Sequence, residues 1–159
     1  MIGSAGVLAA WSGTMAVALG TRRLLSRHSA GSVVVLGFAI SAAAEFGLAG
    51  LRIGSSWPRL LPGLVILGIG SGLVNASLGR LALESAPRER AGMGSGANNT
   101  ARYLGGAAGL VLVVALATGG GRDGASGLLA AWNTAAVVCG SLCIVAALIA
   151  AACHPQADG

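Results

Sequence analysis

The chain is predicted to be an all-α membrane protein with about five transmembrane helices, and three observations lead there. Charged residues make up only 9% of its 159 residues, against 55% hydrophobic, whereas a soluble domain carries roughly a quarter charged residues to solvate its surface. The mean hydropathy is +0.80. Several apolar stretches are each long enough to cross about 30 Å of hydrocarbon, and a spanning backbone in lipid must pair its polar groups internally as a helix.

The first expected span, Ala5 to Gly20, is short and carries Trp11, Ser12 and Thr14, so tilt, an extension from Ile2 or shielding by protein would complete the crossing. No basic region precedes it, and a cleaved signal peptide is not expected. The second span runs from Val33 to Gly50 and holds Glu45, the acidic residue placed well inside a predicted span. A carboxyl there is a candidate for proton exchange; a wetted helix end or an interhelical hydrogen bond are the structural alternatives.

The third span, Leu60 to Leu83, begins beside Trp57, an aromatic suited to the headgroup layer. Pro58 and Pro62 fit a helix start, where backbone N–H groups lack intrahelical partners. Gly68 and Gly72 are four residues apart and suit close helix contact, with Gly70 adding flexibility and Asn75 offering a polar contact. The glycine pattern superficially matches a nucleotide fingerprint, but it lies in a membrane-length apolar helix rather than between a strand and a helix.

Pro87 separates this span from the fourth, Gly92 to Thr118. Gly92 and Gly96, then Gly105, Gly106 and Gly109, are packing candidates around Asn98, Asn99, Thr100 and Arg102. These amides and the guanidinium need partners or water inside a bundle, which leaves both structural hydrogen bonding and a gating or pathway role open. Glu84 and Glu89 are read as loop charges balancing Arg80, Arg88 and Arg90. A flexible turn over Gly119 to Ser126 leads to the fifth span, Gly127 to Ala152.

Cys139, Cys143 and Cys153 lack a metal-ligand framework and are read as small buried apolar residues. His28 and His154 lack companions for catalysis or metal binding. No enzyme site, cofactor or metal is expected. One helical domain is expected over residues 1–153, with a polar tail over 154–159.

The net charge of +5 does not point to nucleic acid, because the arginines are scattered between apolar spans with few aromatics to stack bases. It reads as topology. The first and third connections carry six arginines, Arg22, Arg23, Arg27, Arg80, Arg88 and Arg90, against three on the other side, Arg52, Arg59 and Arg122. Positive-inside bias then puts the N-terminus outside and the C-terminus in the cytoplasm of a multi-pass cell-membrane protein.

The segments Leu67 to Asn75, Pro87-Arg-Glu-Arg-Ala-Gly92 and Gly96 to Gly109 together resemble the C-terminal portion of a major facilitator superfamily transporter, of the fourteen-span drug:proton antiporter branch. Gly13 to Gly31 is a weaker match. The resemblance implies a partial major facilitator helical bundle made of the family's last five helices. It implies gating by Arg22, Arg23 and Arg27, although an acidic partner in that loop is missing here. Asn99, Thr100 and Arg102 match an asparagine-threonine-x-arginine pattern, with Tyr103 where glutamine is common.

The implied activity is proton-coupled multidrug or antibiotic efflux, with the lipid bilayer, protons and hydrophobic or amphipathic small molecules as partners. Alternating access needs two bundles moving against each other. The chain is therefore expected to be an incomplete C-terminal fragment, with a missing N-terminal transporter half as partner. The alternative is a non-transporting membrane interaction subunit or half of a split transporter.

Overall fold

Ser29 stops the chain from entering a helix earlier and starts one after itself: its hydroxyl accepts the Ser32 N–H at 3.3 Å while its backbone is extended. This N-cap satisfies one of the orphan donors of a first turn. The computed structural model describes residues 28–52, 60–85, 87–118 and 124–153. Four α-helices follow in order: α1 Ala30–Leu48, α2 Leu60–Glu84, α3 Ala91–Thr118 and α4 Gly124–Cys153. A single 3₁₀ turn, Arg88–Arg90, leads into α3.

All four helices are long and apolar enough to cross a membrane, and the described residues are otherwise turns and short connections. The chain is a multi-pass membrane protein. The expected second to fifth spans coincide with α1 to α4 apart from their ends. The Ser29 cap starts α1 three residues before Val33, and α4 starts at Gly124, whose φ of +83° lets the chain turn into the helix one turn before Gly127. The expected first span, Arg22, Arg23, Arg27, Trp57, Pro58, Arg59, Arg122 and the tail lie outside the described residues.

Helix α1 is the centre of the packing, held between α2 and α4, while α3 meets α2 and α4 more sparsely. Val33 and Val34 are each 2% exposed, and Ala44 and Leu48 are each 3% exposed. In lipid no hydrophobic force drives helices together, so association rests on close van der Waals fit and interhelical hydrogen bonds. Glycine supplies that fit at the crossing of α1 and α2. A Cβ on Gly37 would lie 3.0 Å from the Gly70 carbonyl oxygen, and one on Gly70 would lie 2.8 Å from both the Gly37 oxygen and the Ser41 nitrogen.

Gly140 does the same for α4, where a Cβ would come within 3.1 Å of the Phe46 ring and 3.3 Å of Glu45 Cβ. Ser41 is buried here and donates its hydroxyl to the Gly37 oxygen at 2.9 Å, so its polarity is satisfied within α1. Two close approaches on α2 are thus at Gly70, expected from the sequence to add flexibility, and at Gly63, where a Cβ would stand 2.6 Å from Leu48 Cδ2. Gly68 is buried on the same helix.

On the far faces, Leu142, Leu148 and Ile149 of α4 and Leu110 and Val111 of α3 are exposed. That surface is suited to hydrocarbon rather than water. At the end of α2, Arg80 Nε donates to Glu84 Oε1 at 2.5 Å on an exposed helix surface.

Candidate functional site

Connections between antiparallel helices bring the end of α1, the start of α2, the end of α3 and the start of α4 to one end of the bundle. A cavity of about 260 Å³ lies there, walled by all four helices. Glu45 and Leu48 come from α1, Leu64 and Leu67 from α2, and Val113 from α3. Helix α4 contributes the longest wall, from Leu128 past Trp132 to Cys139. The volume sits just under the roughly 300–1,000 Å³ typical of small-molecule sites.

Its surface is almost wholly aliphatic and aromatic, with Glu45 as the carboxyl among its walls. Glu45 reaches this place because it lies one turn before the end of α1, on the side that packs against Gly140. A larger residue at position 140 would hold α4 away from the carboxyl-bearing helix. Chemically, such a cavity can take an apolar body and offer a single site that holds either a proton or a polar group of a ligand.

Among the described residues, Glu45 alone of the polar candidates lines this cavity. Asn75 is exposed and donates to the Ser71 oxygen of its own helix at 2.9 Å. Asn98 is half-buried, Asn99 and Arg102 are exposed, and Thr100 donates to the Gly96 oxygen at 3.0 Å. Along α3, Arg102 stands about 16 Å from Val113 at 1.5 Å per residue, so this polar stretch is displaced towards the other end of the bundle. Positions Gly92, Gly96, Gly105, Gly106 and Gly109 have no described atom within 4 Å of where a Cβ would stand.

Two further positions at this end were not singled out from the sequence. Trp132 lines the cavity and donates its indole N–H to the Leu48 oxygen at 3.1 Å. Asn133 accepts the Gly50 and Leu51 N–H groups at 3.0 and 3.1 Å on Oδ1 and donates from Nδ2 to the Leu51 oxygen at 3.2 Å. The available signal was an asparagine deep within an apolar run, a residue that must find partners in a membrane. Cys139, Cys143 and Cys153 are free thiols, and no three metal-binding side chains gather among the described residues.

The chain is 34% identical over 111 residues to the uncharacterized transporter YebQ of Escherichia coli (strain K12), a match covering 70% of this chain and 24% of that protein. The chain therefore spans about a quarter of the length of the relative it matches. No protein-family model and no solved structure matches it. The similarity is thus to part of a transporter, and the four apolar helices are of the length and composition that cross a membrane.

Proposed function

We propose that this chain contributes to a proton-coupled exporter of hydrophobic or amphipathic compounds, multidrug or antibiotic efflux being the activity, with Glu45 as the exchange group. The observation that carries the reading is one carboxyl set in the wall of an otherwise apolar cavity between four membrane-length helices. Ionisable groups within spans are costly and mark proton and substrate paths. A carboxyl that holds a proton in one state and a ligand's polar group in another provides the elementary exchange of an antiporter. The transporter similarity supports the class of activity.

In the same reading, the chain belongs to the fourteen-span drug:proton antiporter branch of the major facilitator superfamily. Its N-terminus is outside and its C-terminus cytoplasmic. Arg22, Arg23 and Arg27 act in gating, and Asn98, Asn99, Thr100 and Arg102 of α3 offer polar contacts to helices of a transporter half that completes the alternating-access pair. Asn75 serves α2 in the same way.

The test uses proteoliposomes made from the chain purified with its membrane partners, an imposed pH gradient, and ethidium as the probe. Proton-driven ethidium movement that Glu45→Gln abolishes is the expected result. Movement that is unchanged in Glu45→Gln rules out this carboxyl as the exchange group.

A second reading is a half-bundle that works only beside a separately encoded transporter half. Intact-mass measurement of the complex extracted in mild detergent separates the two. A stoichiometric second chain supports the split form, and a lone chain that still transports rules it out.

A further inference from the structure

Trp132 and Asn133 are consecutive on α4, yet both bond to the backbone where α1 ends. Trp132 Nε1 donates to the Leu48 oxygen, and the Asn133 amide takes the Gly50 N–H, the Leu51 N–H and the Leu51 oxygen. One side-chain amide thus makes three bonds to a two-residue stretch. Gly50, with a φ of +85°, turns that stretch out of the helical path. The Ala49 N–H closes the last turn by donating to the Glu45 oxygen at 3.0 Å.

Trp132 lies about 12 Å along α4 from its first residue, at 1.5 Å per residue. The non-helical backbone after Leu48 therefore sits alongside the interior of another spanning helix. Backbone that leaves a helix still needs partners for its polar groups, from protein or from water. Here protein does so, and the same Trp132 ring and Leu48 also wall the cavity that holds Glu45.

We propose that Trp132 and Asn133 are positioning residues forming a latch: they hold the Glu45-bearing end of α1 in place and keep bulk water from the cavity until the latch opens. The role of Glu45 in this statement rests on the proposed proton-coupled function; the latch itself does not. Opening frees the Leu48 and Leu51 carbonyls, the Gly50 and Leu51 N–H groups, the indole N–H and the Asn133 amide together. Water is the small partner able to satisfy all of them, so release of the latch and wetting of Glu45 form one event. Gly50 supplies the backbone freedom at the pivot.

Cys139 lines the same cavity and serves as the reporter. In the intact chain with Cys143→Ala and Cys153→Ser, the rate of Cys139 modification by a cationic, membrane-impermeant methanethiosulfonate reagent reads water access. Asn133→Ala is expected to raise that rate on the order of tenfold or more, because each net hydrogen bond shifts an opening equilibrium by about fivefold. Trp132→Phe, which keeps an aromatic ring and removes one bond, is expected to raise it by about fivefold. Asn133→Asp, which keeps the acceptor for both N–H groups, is expected to fall below Asn133→Ala.

Ser77, which is 0% exposed on α2, provides the control for general loosening. A Ser77→Cys reporter, in a background that also carries Cys139→Ala, is expected to react equally slowly with and without Asn133→Ala. An unchanged Cys139 rate in Asn133→Ala overturns the latch. So does a parallel rise at both reporters, which would make Asn133 a support for the whole bundle. If Asn133→Ala does not accumulate in membranes, Trp132→Phe carries the same comparison, and an unchanged rate there overturns the proposal. Loss of transport coupling to Glu45 alongside the expected labelling removes the proton role alone.

Discussion

Replacing Gly70 with alanine places a methyl group where the α1 backbone already lies. Its Cβ would stand 2.8 Å from the Gly37 oxygen and 2.8 Å from the Ser41 nitrogen, against 3.4 Å at the near end of ordinary contact. The nearest atom, the Ser41 hydroxyl, can rotate away, but these two are helix backbone, so relief also requires moving α1 by about 0.6 Å. Overpacking of this kind costs about 1–3 kcal/mol. Alanine also favours a helix over glycine by up to about 1 kcal/mol, and that gain obscures the clash if a single variant is measured.

Gly79→Ala on the same helix removes the ambiguity, because no described atom lies within 4 Å of its Cβ position. The propensity gain is common to both variants, and their difference isolates the crossing. Reversible SDS titration in mixed micelles, followed by circular dichroism, should place Gly70→Ala about 1–3 kcal/mol below Gly79→Ala. Two variants within about 0.5 kcal/mol of each other would refute the claim that α1 and α2 meet through this glycine. The consequence reaches the cavity, since Ser41 precedes Glu45 by one turn of α1.

Three further outcomes follow from the same packing. Ser77→Ala should stabilise the bundle by about 1 kcal/mol in the same titration, because the Ser77 hydroxyl is buried without a hydrogen-bond partner and an orphaned polar group is costly. Gly50→Ala should lose about 1–2 kcal/mol, since its φ of +85° is unfavourable for a residue with a Cβ. Ser29→Ala should cost about 1 kcal/mol through loss of the α1 cap, read as faster hydrogen exchange at the Ser32 amide.

Hydropathy alone located α1 to α4 because each helix must satisfy its backbone within lipid, and apolar length is the direct trace of that demand. The ends were less legible. A Ser29 hydroxyl and a left-handed Gly124 add a turn to α1 and α4 beyond the apolar run. Glu45 stood out because a carboxyl within a span is rare, and the structure puts it on the cavity wall. Glycine spacing could not say which of the 27 glycines approach another helix, since every span carries small residues and it is the mutual rotation of helices that brings Gly37, Gly63, Gly70 and Gly140 against a neighbour. Trp132 and Asn133 acquire meaning only from the end of α1, more than 80 residues away along the chain.

The exchange of a proton for a ligand at Glu45 can be measured without a membrane gradient. The chain purified with its membrane partners, in weakly buffered detergent solution, is mixed with ethidium while a pH indicator and ligand fluorescence are followed together. Proton release that saturates with ethidium binding, and disappears in Glu45→Gln, is the result this account predicts. Saturable ethidium binding with the same proton release in Glu45→Gln as in the unmodified chain would contradict it.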